Sequence, residues 1–500
     1  MMMDVLSNVM SWQILLAIFC GVAAGISIGA MPGLTSTMGI ALLMPFTFQL
    51  EPAVGMMLLI GEFVGAIYGG SITAIMINTP GTPSAAATVL DGYPFTKRGE
   101  SCRALGISTV ASFGGGIISG IFLILIAPQL AEIALKFSAP ETCALALFGI
   151  SIIASISGKN LLKGLMSGVF GLILALIGMD NISGLSRFTF DTVFLMNGLS
   201  FIPVMVGLFA MSQCFLSMEE LYHEVKVSAK ITSAIPSLAD LKKIIPTVLR
   251  GGITGTMVGI IPGAGGDISA FISYDMERRL SKHPERFGTG IVEGIAAPES
   301  SNNGTTGGAL IPLLTLGIPG DANTAVMLGA LMVFNLTPGP QLFVEQALVV
   351  NTLFAGFMIA NVVMLIMGLS GVRIFARIVQ IPRPVLVPIV MLMCVIGSFA
   401  INGNYLDIVV MFAAGVFGYL LIKGEFPLSP IVLALILGPM AEGNLRRSLV
   451  MSHGDYSIFL SHPIAATFIG VALISLIWPI AKHLLGNYAS GLRDKEMHGK

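Results

Sequence analysis

The chain has 500 residues, 55% of them hydrophobic and 11% charged, with a formal net charge of −1. A soluble domain of that composition lacks the polar surface to cover its apolar atoms, so a bilayer must act as its solvent. The near balance of 26 basic and 27 acidic residues, with no basic face, argues against a nucleic-acid partner, and five scattered cysteines without a CxxC pair suggest neither a disulfide framework nor a zinc site.

The first apolar run, residues 11 to 30, follows a start without a basic n-region and reads as a retained membrane segment. It ends in Gly29-Ala30-Met31-Pro32-Gly33, followed by the hydroxyl residues Thr35, Ser36 and Thr37. The next run, from Ala53 to Ile77, holds one acid, Glu62, and breaks at Asn78-Thr79-Pro80-Gly81-Thr82-Pro83-Ser84. Runs at 104 to 127, 139 to 157 and 160 to 178 are each long enough to cross about 30 Å of hydrocarbon. A polar stretch from Glu219 to Lys243 precedes a second Pro-Gly, Gly259-Ile260-Ile261-Pro262-Gly263, with Asp267 just beyond it. The polar cluster Ala297 to Gly308, containing Glu299, Ser300, Ser301, Asn302 and Asn303, leads to another break at Ile318-Pro319-Gly320-Asp321-Ala322-Asn323-Thr324. Runs at 345 to 368, 384 to 401 and 462 to 481 and a charged tail complete the chain.

These landmarks repeat in order. The two glycine-to-Pro-Gly stretches match at an offset of 230, Gly69-Gly70 and Asn78 to Gly81 match Gly307-Gly308 and Gly317 to Gly320, and Gly168 to Gly171 match Gly415 to Gly418. The expected organisation is a first transmembrane repeat at 11–218, a polar linker at 219–243, a second repeat at 244–450, and a final helix with a cytoplasmic tail at 451–500. Basic loops do not coincide between the halves: Lys97, Arg98 and Arg103 face a base-free stretch at 335 to 341, and Arg278, Arg279, Lys282 and Arg286 face a base-free stretch at 46 to 52. Cytoplasmic loops collect Lys and Arg, so equivalent loops fall on opposite sides and the repeats are inverted. The fold class expected is an all-α integral membrane protein of two inverted repeats, with broken helices or re-entrant hairpins and roughly 11 to 15 membrane segments. The N-terminus is placed outside and the C-terminus in the cytoplasm, with Arg446 and Arg447 as exceptions on the outer side.

Inverted-repeat transporters bind substrate where discontinuous helices expose backbone groups. The substrate-binding candidates are therefore Asn78, Thr79, Pro80, Gly81, Thr82 and Ser84 in one break and Pro319, Gly320, Asp321, Asn323 and Thr324 in the other. A restarting helix offers unpaired N–H groups and a partial positive charge, which suits a carboxylate. No Lys or Arg occurs from Met31 to Tyr93 or from Phe287 to Val372, so a co-transported Na⁺ or H⁺ is expected to supply compensating charge, with no resident cofactor. Its candidate ligands are Thr35, Ser36, Glu62, Asp267, Glu299, Ser300, Asn302 and Asn303. Each has a plainer reading: a Pro-Gly is often only a kink, an Asn/Ser/Thr cluster a solvated loop, Glu62 a paired bundle residue and Asp267 a helix cap.

At these residues the sequence resembles the large membrane subunit of the tripartite tricarboxylate transporters. The resemblance rests on Pro32-Gly33-Leu34, Tyr68-Gly69-Gly70-Ser71, Asn78 to Pro83, Asp91-Gly92-Tyr93-Pro94, Pro262-Gly263-Ala264-Gly265, Glu293-Gly294 with Ala297 to Ser300, and Leu314 to Gly320. It implies a bacterial inner-membrane, cation-driven permease for tri- or dicarboxylates or related acids. It also implies two partners, a small four-helix membrane subunit and a periplasmic solute-binding protein. Leu34 to Thr37, Gly265-Gly266-Asp267 and Thr82-Pro83-Ser84 depart from the citrate-type pattern, so the resemblance implies the carboxylate class and not citrate in particular. A membrane-embedded enzyme is disfavoured by the lack of HExxH, GxSxG or paired histidines. A channel is disfavoured by the lack of a filter or charge rings. A stand-alone carboxylate symporter shares the same features and differs only in partner dependence.

Overall fold

In the computed structural model the described residues are 2–31, 33–151, 161–180, 184–219, 235–378 and 382–475. Pro32, most of the expected linker and the charged tail lie outside them. The principal helices are α1 (Trp12–Gly29), α2 (Ser36–Thr47), α3 (Pro52–Ile77), α4 (Ala86–Lys97), α5 (Ser101–Ala134), α6 (Ala139–Ser151), α7 (Leu161–Ala175), α8 (Phe201–Glu219), α9 (Leu238–Ile260), α10 (Gly265–Leu280), α11 (Val292–Leu316), α12 (Ala322–Val333), α13 (Ala347–Ser370), α14 (Arg383–Asn402), α15 (Tyr405–Lys423), α16 (Ser429–Met451) and α17 (Pro463–Ser475). The linker's last residues, Leu238 to Lys243, already form the first turns of α9. Among the described residues, seven helices are long and apolar enough to cross a membrane: α1, α3, α5, α8, α13, α14 (from Pro384) and α15. The spans α8 and α15 add to the apolar runs named from the sequence.

The chain forms two compact units, residues 1–135 with 200–420, and residues 136–199 with 421–500, so each draws on both halves of the sequence. In the second unit α6 and α7 pack on α16. Residues Gly178–Met179 and Ser186–Arg187 pair as a short antiparallel ladder. Arg446 bonds Asp180 at 2.7 Å and Glu442 at 2.7 Å, while Arg187 bonds Glu442 at 2.8 Å. The acids bound to Arg446 lower the cost of a cation at the position that the loop-charge rule treats as an exception.

The first unit is organised around two closely packed helix pairs, α1 with α3 and α9 with α11. Small residues let the backbones touch, as membrane helices require when no water drives them together. A β-carbon at Gly25 would strike the Glu62 carbonyl, and one at Gly255 would strike the Ser301 carbonyl. Gly29 meets Ala66 as Gly259 meets Thr305, and Gly81 meets the carbonyl of Gly29 as Gly320 meets that of Gly259. The same contacts thus recur at fixed offsets of 230 on the first helix of each pair and 239 on the second.

The long helices also stop alike. α3 ends on Asn78 in the left-handed region (φ 60°) and α11 on Gly317 (φ 69°), each followed two residues later by proline. α3 is 94% buried over its apolar window and so presents almost no face to lipid. α11 is buried along nearly its whole length despite its polar sequence.

Candidate functional site

Four helix starts surround the breaks of the first unit. α2 begins after the turn at Gly33 (φ 92°), and Thr35 caps it by accepting from Met38 N–H at 3.2 Å. α12 begins at Asp321, whose carboxylate accepts from Thr324 N–H at 2.8 Å while the Thr324 hydroxyl accepts from Asp321 N–H at 2.9 Å, a reciprocal capping box. These two starts meet: Thr37 Oγ1 donates to Asn323 Oδ1 at 2.8 Å, and Asn323 Nδ2 donates to Asp321 Oδ2 at 3.0 Å. The end of α12 therefore has a resident carboxylate of its own.

The other two starts have no side-chain cap. α10 opens at Gly265, and the 3₁₀ turn Pro83–Ala85 leads into α4; the two segments pack together. Between them lies the side chain of Asn302, fully buried, with neither its Oδ1 nor its Nδ2 hydrogen-bonded among the described residues. The position a β-carbon would take on Gly266 is 2.7 Å from Asn302 Oδ1, 3.0 Å from Thr305 Oγ1 and 3.3 Å from Ser84 Cβ. Buried amides are almost always satisfied, and an unpaired one costs about 1–3 kcal/mol. A polar group held there at that cost, facing two uncapped helix starts, is suited to receive a ligand that brings its own partners.

The expected substrate residues divide across this geometry. Ser84 faces Gly266 and Asn302, and Thr82 lies in hydrogen-bond contact with Ser84 at 3.1 Å. Gly81 is buried against Gly29 and Gly320 against Gly259, where they allow close packing, and Pro319 is buried beside Gly320. Asn78 and Thr79 are exposed, and Asn78 terminates α3. Asp321, Asn323 and Thr324 form the capped start of α12.

The coupling candidates divide likewise. Asp267 is exposed at the start of α10, within electrostatic reach of Asp321. Ser36 is buried with an unpartnered hydroxyl on the first turn of α2. Ser300 Oγ donates to the Ala296 carbonyl of its own helix at 2.7 Å, and Asn303 retains an unpartnered Oδ1. Glu299 is fully buried and accepts four hydroxyls: Ser71 at 2.6 Å, Ser108 and Ser112 at 2.9 Å each, and Thr88. Those donors come from α3, α4 and α5, so Glu299 clasps four helices at one point. Glu62 is equally buried, and neither of its oxygens has a partner among the described residues.

Sequence reasoning missed Ser71, Thr88, Ser108, Ser112, Thr305 and Gly266. Ser108 and Ser112 lie one helical turn apart in an apolar run, a spacing that puts both hydroxyls on one face and was readable in advance. Nothing in the sequence indicated that Glu299 was their acceptor. Among the described residues, no three His, Cys, Asp or Glu side chains gather as a metal site.

Comparison with known proteins bears on the whole region. Residues 15–433 match the family model described as "Tripartite tricarboxylate transporter TctA family". Two proteins of Agrobacterium vitis are similar. One, described as "Uncharacterized 52.8 kDa protein in TAR-I ttuC' 3'region", is 38% identical over 460 residues, 92% of this chain and 91% of that protein. The other, "Uncharacterized protein in TAR-II ttuC' 3'region", is 36% identical over 223 residues, 45% of this chain and 92% of its own length. No solved structure matches the chain.

Proposed function

The chain belongs to the tripartite tricarboxylate transporter TctA family, and from that premise we propose that it is the large permease subunit of a binding-protein-dependent importer of small carboxylates, driven by a co-transported cation. The observation that carries the reading is the unpartnered Asn302 amide between the uncapped starts of α10 and the Pro83–Ala85 turn. A carboxylate there accepts from helix-start N–H groups and from Ser84 and Asn302, which together do the work of a fixed cation. No Lys or Arg lies between residues 31 and 93 or between 287 and 372, so charge compensation comes from the helix ends and from the cation that enters with the substrate.

The repeated glycine contacts and the matched helix ends at Asn78 and Gly317 support two repeats, residues 11–218 and 244–450, and the opposed loop charges support their inverted topology, with the breaks near the bilayer midplane. The loop charges support an N-terminus outside and a cytoplasmic C-terminus in a bacterial inner membrane. The partners in this reading are a small membrane subunit and a periplasmic solute-binding protein.

The test is uptake of labelled di- and tricarboxylates into proteoliposomes holding the chain and its small partner, with and without the binding protein, under a Na⁺ or a proton gradient. Uptake that needs both gradient and binding protein supports the proposal. Gradient-driven uptake without the binding protein makes the chain a stand-alone symporter, and absence of carboxylate uptake refutes the substrate class.

A further inference from the structure

Four carboxyl groups of the first unit, Glu62, Asp91, Glu299 and Asp407, are completely buried; Asp91 accepts from Tyr274 and loop N–H groups and Asp407 from Asn402, while Glu62 and Glu299 have opposite surroundings. Glu299 accepts from four hydroxyl donors. Glu62 has none. Its side chain lies over Gly39 of α2: a β-carbon on Gly39 would collide with Glu62 Oε1 and lie 3.2 Å from Ile28 Cδ1. The two helices against Glu62, α1 and α2, carry no charge. α1 carries only Cys20, which is exposed, and α2 has no ionisable side chain at all. On α3 itself Tyr68 is engaged with Thr109 at 2.8 Å, and in the adjoining α11 Glu299 is occupied by its hydroxyls. A bare carboxylate in apolar surroundings without a partner is so costly that the group takes up a proton instead.

The wall over Glu62 is also part of the substrate region. Gly39 is one helical turn from Ser36, whose hydroxyl is buried and unpartnered, and the same first turn of α2 is tied through Thr37 to Asn323 of α12. A shift of α2 that opens the break therefore uncovers Glu62 as well.

We propose that Glu62 is the proton carrier of this transporter, which rests on the reading of the chain as a cation-driven permease and narrows the cation to H⁺. An O–H bond forms when the exposed carboxylate takes a proton from hydronium on the proton-rich side. α2 closes over the neutral acid during the crossing. On the other side α2 opens, the O–H bond breaks, and the proton returns to water. Substrate at the neighbouring break moves in the same cycle.

Infrared difference spectroscopy of the purified full chain tests the proton directly, without substrate. The expected result is a protonated-carboxyl band at neutral pH that is lost in Glu62→Gln and kept in Glu299→Gln. Absence of a band dependent on Glu62 overturns the proposal. In right-side-out membrane vesicles bearing the chain with both partners, Glu62→Gln, a mimic of the neutral acid, abolishes accumulation of labelled citrate, succinate or malate driven by a pH gradient, roughly tenfold per coupled proton for each pH unit. It leaves exchange of labelled for unlabelled substrate intact. Accumulation by Glu62→Gln at the wild-type level, or wild-type accumulation driven by Na⁺ alone with the pH gradient collapsed, also overturns it. Absence of wild-type uptake of every carboxylate refutes the transport reading itself, and the infrared band still decides where the proton sits.

Discussion

Thr37, on the first turn of α2, donates a 2.8 Å hydrogen bond to Asn323 on the first turn of α12, joining two helix starts 286 residues apart in sequence. Both side chains are buried, so water does not replace the bond when one partner is removed. Thr37→Val keeps the shape and leaves Asn323 Oδ1 unsatisfied, while Asn323→Ala removes the acceptor and frees Asp321 Oδ2. The expected coupling energy in a double-mutant cycle, read from unfolding in detergent, is about 1 kcal/mol. Additive effects would show that the two helix starts are not linked through this bond.

Gly266→Ala separates folding from transport. Gly266 lies in the first turn of α10 at ordinary helical dihedrals, where alanine is favoured by about 1 kcal/mol over glycine. The added methyl meets side-chain atoms, Asn302 Oδ1 and Thr305 Oγ1, which can turn aside. The expected outcome is a chain with wild-type thermal stability whose apparent substrate affinity falls by about tenfold or more. Gly265→Ala is the contrasting change: its φ of 62° is unfavourable for alanine, and about 1–2 kcal/mol of stability is lost. Unchanged uptake kinetics in Gly266→Ala would remove Asn302 from the binding region.

Glu299 acts by holding α11 to α3, α4 and α5, and its removal is felt in stability. Glu299→Ala leaves four buried hydroxyls without their acceptor, with an expected loss of about 3–5 kcal/mol. Ser108→Ala removes one buried hydrogen bond and costs about 0.5–1.5 kcal/mol. The four serine and threonine effects fall short of additivity because they share one acceptor. Thermal midpoints in detergent for Glu299→Ala, Ser108→Ala and Ser112→Ala check this; a stable Glu299→Ala would contradict the clasp.

The membrane class and the breaks were legible in the sequence because charge-free runs and left-handed helix ends depend on local composition. Asn78 before Pro80 and Gly317 before Pro319 stop their helices by the same means, and the pattern shows without coordinates. The polar run from Ala297 to Gly308 was less legible. Its composition is that of a loop, yet it lies within α11, because several of its hydroxyls bond carbonyls of their own helix, as Ser300 does to Ala296 and Thr306 to Asn303. Two of its glycines, Gly304 and Gly308, meet α9 at close range, and Gly307 meets Ser119 of α5. Glu62 and Glu299 were both candidate ion ligands from the sequence. Only packing distinguishes a carboxyl met by hydroxyls from three other helices from one met by Gly39 and Ile28. Such pairings are long-range and leave no local trace.

The pair Arg103–Asp240, which ties the start of α5 to the start of α9, gives a pH dependence of definite sign. Arg103 donates from Nε at 3.0 Å and from Nη2 at 2.7 Å to the two oxygens of Asp240, and Ser237 Oγ adds a third bond at 2.8 Å. The Arg103 guanidinium holds the Asp240 carboxyl below its usual range, against a smaller opposing effect of burial. A carboxyl whose value is lowered by folding stabilises the native chain above its unfolded value of about 3.9, and that stability is lost as pH falls through the lower folded value. Arg103 is 45% exposed, so solvent screens the pair and its contribution is about 1 kcal/mol or less. The expected measurement is a wild-type thermal midpoint above that of Asp240→Asn at pH values well above the unfolded value, with the gap closing on acidification below it. A gap that widens toward acid would mean that Asp240 is destabilised as an anion, and the bonds from Arg103 and Ser237 would then not be the ones that position the start of α9.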